Sequence, residues 1–391
     1  MEINKKLLLI SPFARPNIGG VEAHLEKLTK YAISKGYYVV IITYQPLTTK
    51  TSGPKFEKGE DFEIHRVSWF GQGWFPKVEK YFPLSFLYLF PGLFIKTLSY
   101  YSKHRKEISV IHAHGIASAA IVRILNVLFP KKRSVVSTHA IYNLVNRPLL
   151  AKIFKFTLSD FDKVLAVSEV SKNELIGIGL NSQKVAVHPN WIPTDKFAAP
   201  TQIDTSLLLD SSHRFNVLFI GRLLETKGIG LILETAKHLQ EVGFHIVGNG
   251  PKEDEVRQQA SHSSNLFYYG VLNQNNPDDF NKIINLYAYC NYLVSPYLYD
   301  EGFSTVLIEA LSCGTKLIVT KRGSPPTFLS DQTALYLNPN PTSEELTELL
   351  SKLYKENVPK SNYSTICRDF AIKNFSPLNA DIIINSYTSD L

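Results

Sequence analysis

A chain of 391 residues is long enough for two domains, and its hydrophobic fraction of 44% and charged fraction of 20% are those of a globular protein. The formal charge of +7 favours anionic partners, either nucleotide phosphates or an anionic lipid surface. No zinc spacing, helix-turn-helix signal or aromatic RNA motif accompanies that charge, so nucleic acid is not expected as a partner.

The chain opens M-E-I-N-K-K-L-L-L-I-S-P. Its apolar run is too short for a signal peptide and ends in Ser11 and Pro12 rather than at a cleavage site. It reads as a first buried strand. The loop P-F-A-R-P-N-I-G-G follows, then a helix from Val21 to about Ser34. Strand, Gly-Gly, helix is in principle a phosphate or sugar loop, and a tight turn fits Gly19-Gly20 equally well. Glu22 and His24 read as helix packing or capping. Strands are expected at Tyr38–Thr43 and Phe62–Val67.

The stretch from Trp69 to Lys106 is crowded with aromatics: Trp69, Phe70, Trp74, Phe75, Tyr81, Phe82, Phe86, Tyr88, Phe90, Phe94, Tyr100 and Tyr101. Lys77, Lys80, Lys96, Lys103, Arg105 and Lys106 are interleaved with them. The apolar run Tyr81–Ile95 is shorter than the roughly 20 residues of a spanning helix and is broken by Pro83, Pro91 and Gly92. Two readings stand: a membrane-surface or lipid-acceptor site with a basic rim, and a helix packed on the sheet with some aromatics exposed. Val110–His114 is the next buried strand and Ser134–Thr138 the one after helix 116–129. His114 and His139 therefore both fall at carboxyl ends of strands, the edge where open parallel sheets bind ligands. Lys163–Val167 and Val185–His188 complete this half. The one D-x-D, Asp160-Phe161-Asp162, precedes a strand at its amino end and reads as a solvated turn rather than a metal site. Pro189–Pro193 breaks the pattern and marks a hinge.

In the second half, strand Phe215–Ile220 runs into G221-R222-L223-L224-E225-T226-K227-G228 and a helix. A Gly turn is followed by two fixed cations beside a helix N-terminus, an arrangement suited to a diphosphate. Glu225 is expected to orient the cations. Phe244–Val247 precedes G248-N249-G250-P251, and Leu266–Gly270 precedes V271-L272. Helix 277–288 leads to strand 290–295 and then to E301-G302-F303-S304-T305-V306-L307-I308-E309-A310-L311-S312-C313-G314. The backbone amides of Gly302, Phe303, Ser304 and Thr305 lie at a helix N-terminus, an anion site that Gly302 lets a ligand approach closely. Eight helical positions rotate by about 80°. A regular helix alone cannot align Glu301 with Glu309, so the loop must set Glu301. Gly314 is the expected stop, and Lys316–Thr320 the next strand. Helices near 343–355 and 362–373 close the chain. Cys290, Cys313 and Cys367 show no metal spacing and read as reduced packing residues, which goes with a cytoplasmic location.

The run from Glu301 to Gly314 resembles the signature of the retaining glycosyltransferases of family 4, with Ser304 for a usual Gly and Lys316-Leu317 for a usual Pro-Val. G19-G20-V21-E22-A23-H24, I-H-A-H-G, T-H at His139, P-N-W-I-P with Trp191 in place of Gly, and G221-R222-L223…K227-G228 resemble the family's other motifs, so the likeness touches nearly the whole chain. It implies the GT-B architecture: two Rossmann-like doubly wound parallel-sheet domains with an interdomain cleft. Residues 1–192 would form the acceptor domain, 193–375 the nucleotide-sugar donor domain, and a helix at about 376–391 would cross back. The resemblance further implies that Gly19 and Gly20 approach the donor diphosphate or the acceptor, and that His139 reaches the donor sugar. Arg222 and Lys227, with Gly221 at the turn, stabilise the departing diphosphate. Glu301 and the amides after it hold the sugar hydroxyls, Glu309 accepts from the ribose hydroxyls, and backbone at Val271 and Leu272 meets the base. The family is thought to react on one face of the sugar without a stable covalent intermediate, so no nucleophile is named.

The expected function is transfer of a hexose from a UDP- or GDP-sugar to a lipid-linked or growing glycan acceptor. Two cations at the diphosphate would make a metal unnecessary, so no cofactor is expected. The expected place is the cytoplasm, with peripheral attachment to the membrane's cytoplasmic face through 69–106 if that stretch is a surface site. A nucleotide-sugar epimerase on the same fold lacks placeable acid/base carboxylates. A non-catalytic subunit commonly loses the cations or a motif Glu, and this chain keeps both.

Overall fold

The apolar runs of the sequence become the strands of two parallel sheets. The computed structural model describes residues 5–388 apart from Ile18, Lys50, Gln72, Lys80 and Ser211, and of Phe82 the backbone alone. Residues 1–4, Lys80, the Phe82 side chain and residues 389–391, which figure in the expectations above, lie outside the described residues. The chain divides into two compact units, one running to Asn190 and resumed from Leu378, the other Trp191–Pro377.

The first unit begins β1 (Lys5–Ile10), α1 (Gly20–Ser34), β2 (Tyr37–Tyr44), β3 (Phe56–Lys58), β4 (Phe62–Val67), α2 (Phe75–Val78) and α3 (Phe82–His104). It continues β5 (Ile108–His114), α4 (Ile116–Leu128), β6 (Arg133–Thr138), α5 (Pro148–Leu158), β7 (Lys163–Ala166), α6 (Glu169–Gly177) and β8 (Val185–Val187). Its sheet has eight strands in the order β3-β4-β2-β1-β5-β6-β7-β8. All pairs are parallel except β3–β4. Strands such as β1 and β5 are buried along most of their length because helices cover both faces, which is why they read as apolar runs without alternation. The edge strand β3 is short and mostly exposed, and no apolar run in the sequence announced it.

The aromatic stretch is resolved by α3, a helix of 23 residues that runs through Pro91. Proline there removes an N–H from the helix ladder. The buried Tyr44 hydroxyl inserts beside it, donating to the Leu89 carbonyl (2.8 Å) and accepting from the Leu93 amide (2.8 Å). The Trp69 indole donates to the Tyr88 carbonyl at 2.9 Å. Both rings crowd the face of Gly92, where a Cβ would come within 2.6 Å of Trp69. Phe75, Tyr88, Tyr100 and Tyr101 thus belong to the core, and Phe86, Phe90 and Phe94 stack against it. Phe70, Trp74, Tyr81, Leu84, Leu87 and Ile95 remain more than half exposed. Among the described residues no helix is long and apolar enough to cross a membrane.

The second unit contains β9 (Asn216–Ile220), α7 (Ile229–His238), β10 (Gly243–Val247), α8 (Glu253–His262), β11 (Leu266–Tyr268), α9 (Pro277–Tyr289) and β12 (Tyr292–Ser295). These are followed by α10 (Thr305–Ser312), β13 (Lys316–Thr320), α11 (Pro325–Phe328), β14 (Ala334–Leu337), α12 (Ser343–Glu356) and α13 (Ser361–Phe375). The six strands are all parallel in the order β11-β10-β9-β12-β13-β14. Cys290, Cys313 and Cys367 are buried free thiols of this core. Beside them the buried Lys360 ammonium donates to the carbonyls of Tyr287, Ala288 and Cys290, capping the end of α9. Burial lowers its pKa to about 8.

The last helix, α14 (Asp381–Thr388), packs on the first unit. Tyr387 bonds to His112 at 2.7 Å, Arg133 donates to the Ser386 carbonyl at 3.0 Å, and Asp381 pairs with Lys35 at 2.9 Å.

Candidate active site

In the second sheet, β9 pairs with β10 on one side and β12 on the other, so the connections diverge at its carboxyl end. Such a switch point opens a crevice for a ligand. The turns after β9 and β12 are tied together there, since the Leu298 amide donates to the Thr226 carbonyl at 2.9 Å. Gly228 has φ 79° and backs onto Pro296, so a Cβ would collide with the Pro296 carbonyl. The Gly221–Leu223 turn also pairs with the loop after β10: Leu223 N–H donates to the Asn249 carbonyl at 2.8 Å. Gly248, with φ 139°, lets those two backbones touch, since a Cβ would strike the Gly221 carbonyl. Gly228 and Gly248 are therefore required by backbone contact between the loops.

At this edge Lys227 Nζ lies 2.6 Å from Glu301 Oε2, and the Tyr299 hydroxyl donates to the same oxygen. The ammonium sits 5.0 Å from the ring centres of both Tyr297 and Tyr299. Burial pushes the Tyr299 hydroxyl well up, the neighbouring Glu301 carboxylate adds to this, and the Arg222 charge opposes it. Arg222 itself is exposed. The backbone of Glu301 is fixed by the loop after β13, since Ser324 N–H donates to its carbonyl at 2.9 Å. The adjacent Asp300 pairs with Arg322 at 2.9 Å. The loop thus aims Glu301 by clamping it from β9 and β13, not through the helix that follows.

Gly302, Phe303 and Ser304 lead into Thr305, the first residue of α10. Ser304 stands at the N-cap with extended backbone, but its side chain does not cap the helix; it turns to the Tyr297 hydroxyl instead. Glu309 lies inside α10 and is 4% exposed. Its Oε2 accepts from the Tyr287 hydroxyl at 3.0 Å and from Gln274 Nε2 at 3.1 Å. Val271 and Leu272 follow β11; Val271 is exposed, whereas Leu272 packs on the core. Glu225 does not orient the cations. Its carboxylate is 60% exposed and pairs with Lys252 at 3.4 Å, because the short turn it opens points it outward.

The first sheet carries a second group of residues at its own carboxyl edge. Gly19 precedes α1 against the Glu22 carboxylate, where a Cβ would collide, and Gly20 has open space around it. Glu22 is buried and accepts from Asn17, whose oxygen accepts from Thr48 Oγ1 at 2.7 Å, so Glu22 anchors the loop before α1. His139 follows β6, and its Nε2 lies 3.1 Å from Nδ1 of His114 at the end of β5. Burial lowers the His139 pKa to about 4. At the opposite edge Asp160 accepts from Asn126 at 2.7 Å, and Asp162 accepts from the Ser134 amide at 2.8 Å and pairs with Lys131, so both carboxylates serve the fold.

Sequence reasoning missed Tyr287, Tyr299 and Gln274. Their apolar or loop context gave no sign that their polar ends converge on the two glutamates. Tyr299 reaches Glu301 within the loop after β12, whereas Tyr287 of α9 and Gln274 after β11 are brought to Glu309 by the packing of their segments around α10.

Two parallel-sheet units of this kind, with cations and glutamates at a switch point, define a glycosyltransferase of the GT-B fold. The family model described as Glycosyltransferase Family 4 matches residues 18–196, and that described as Glycosyl transferases group 1 matches 209–369; the chain belongs to this glycosyltransferase family. It is 27% identical over 351 residues to the phosphatidylinositol N-acetylglucosaminyltransferase GPI3 subunit of Saccharomyces cerevisiae, covering 86% of this chain and 73% of that one. It is 26% identical to the corresponding Homo sapiens subunit, covering 93% of this chain and 72% of that one. Among solved structures, HepE of Anabaena in complex with UDP has a TM-score of 0.75 at 17% identity, over 99% of this chain and 100% of that one. That likeness is one of fold.

Proposed function

We propose that this chain is a retaining transferase that moves a hexose from a nucleotide-diphosphate sugar to a lipid-linked or growing glycan acceptor. The observation that carries the reading is the Lys227–Glu301 pair beside exposed Arg222 at the switch point of the second sheet. A diphosphate arriving there takes the two cations, and they stabilise the charge that develops as it departs. In this reading Glu301 and the amides of Gly302–Thr305 hold the donor sugar, and Glu309 accepts from the ribose hydroxyls. Backbone at Val271–Leu272 meets the base. His139 and the Gly19–Gly20 turn keep the roles that the family resemblance implies, toward the donor sugar and toward the diphosphate or acceptor. The two cations carry the phosphate charge without a divalent metal.

The names of the relatives support a lipid acceptor and an N-acetylhexosamine donor, and HepE was solved with UDP, which supports a UDP-sugar. The exposed apolar stripe of α3, Leu84, Leu87 and Ile95, with Lys96 and Lys103 on the same helix, supports peripheral attachment to an anionic membrane surface. Because the relatives are named as subunits, partner chains belong to this reading as well.

The test is product analysis after incubation with UDP- and GDP-sugars and a lipid acceptor. Free nucleoside diphosphate with a new glycoside of retained configuration supports the reading. An isomerised donor would make the chain an epimerase, and no turnover with any donor would make it a non-catalytic subunit.

A further inference from the structure

Five histidines of the first unit gather at one place: His24 on α1, His112 and His114 on β5, His139 after β6 and His188 after β8. Ring centres lie 5.1 Å apart for His24–His139, 5.7 Å for His24–His114, 5.3 Å for His114–His139 and 5.7 Å for His24–His188. His112 is spoken for, its two nitrogens bonded to Tyr387 and Ser137. In His24, His114 and His139, one nitrogen from each ring lies within 4.8 Å of the other two. We propose that His24, His114 and His139 form a site for a borderline divalent metal ion such as Zn²⁺, with the fourth position open.

Two observations support it. First, two imidazoles on one tetrahedral ion hold their nitrogens about 3.4 Å apart, given metal–nitrogen distances near 2.1 Å. The His114–His139 nitrogens are 3.1 Å apart, so that edge of the tetrahedron is nearly formed, and the third ring needs a shift on the order of an ångström. Second, His24 and His114 are 4% and 1% exposed, so the fold holds both rings at this place out of water. The donor set is all nitrogen. It suits Zn²⁺, Co²⁺, Ni²⁺ or Cu²⁺ and not Mg²⁺, Ca²⁺ or Mn²⁺, which take oxygen. His139 is the least buried of the three, so the open side lies with it.

A metal held there takes the His139 lone pair, and so opposes rather than serves transfer; this consequence alone rests on the role given to His139 above. The site is therefore distinct from a metal on the diphosphate.

The test is Co²⁺ titration of the chelator-treated protein, followed by visible absorption. We expect one Co²⁺ per chain with the intense band of four- or five-coordinate cobalt, bleached by one equivalent of Zn²⁺ and untouched by excess Mg²⁺. His114→Gln and His24→Gln lose the band, and His262→Gln, at an exposed helix end, keeps it. Zinc X-ray absorption on the wild-type protein, expected to show three imidazole nitrogens, covers the case in which a variant fails to fold. A six-coordinate cobalt spectrum, or a band surviving in both variants, overturns the proposal. None of these readouts needs turnover, so a failure here is separate from a failure of the transferase reading.

Discussion

Replacing Lys227 by Met tests whether the cation serves the phosphate or merely neutralises Glu301. The variant leaves the Glu301 carboxylate with the Tyr299 hydroxyl as its remaining partner on that oxygen. Breaking a fully buried ion pair costs about 3–5 kcal/mol. The Lys227 and Glu301 side chains are 23% and 11% exposed, so water recovers part of that loss and about 1–3 kcal/mol is expected. In a domain of this size each kcal/mol lowers Tm by about 2–4 °C, so calorimetry should read a fall of roughly 2–12 °C. Turnover should fall at least about a hundredfold, equivalent to roughly 2.7 kcal/mol of barrier. The double variant Lys227→Met with Glu301→Gln removes the stranded charge while keeping an acceptor for Tyr299, so most of the Tm should return. Turnover and affinity for a free nucleoside diphosphate should stay low, while affinity for the bare nucleoside is unchanged. If turnover and diphosphate affinity recover with Tm, Lys227 is only the partner of Glu301 and the phosphate assignment fails.

Transfer activity should survive EDTA, since the diphosphate is met by Arg222 and Lys227; complete loss restored by Mn²⁺ or Mg²⁺ would show that site to be misread. Tyr44→Phe strips the hydroxyl that bridges Leu89 and Leu93 beside Pro91 and should destabilise the first unit by about 1–3 kcal/mol, read as a shifted denaturation midpoint; an unchanged midpoint would deny the bridge a role. His245 is held neutral by burial, with its pKa lowered to about 4, against Asn216 and Tyr269. Its folded pKa lies below the unfolded value, so its contribution is full above about pH 6.5 and falls as pH drops toward 4, by about 1.4 kcal/mol per unit and about 3 kcal/mol in all. His245→Gln should flatten urea-unfolding stability over that window, and an identical slope in the variant would refute the assignment. The chain should co-sediment with anionic vesicles at low salt, less so with rising salt, and Leu87→Ser with Ile95→Ser should weaken this; absence of binding at low salt would leave α3 a packed helix only.

The sequence by itself determined what depends on neighbours along the chain. Buried parallel strands read as apolar runs, and the glycines of the Gly221–Gly228 and Gly248–Pro251 turns read as turn residues. The motif around Glu301 identified the family. Pairing between distant segments was decided only by the tertiary structure. Glu225 looked like the partner of the cations because it is adjacent in sequence, yet Lys227 bonds to Glu301 because β9 and β12 are neighbours in the sheet. Pro91 argued against a spanning helix, and α3 runs through it because Tyr44 and Trp69, from β2 and the segment after β4, supply partners to its broken ladder. His24 reads as helix packing or capping, and His114 and His139 read as two residues at the ligand-binding ends of strands. Only the order β1-β5-β6-β7-β8, with α1 above it, gathers His24, His114, His139 and His188 into one cluster. Local propensity acts over a few residues, whereas hydrogen bonds and charges are satisfied by whatever the fold brings within about 3 Å.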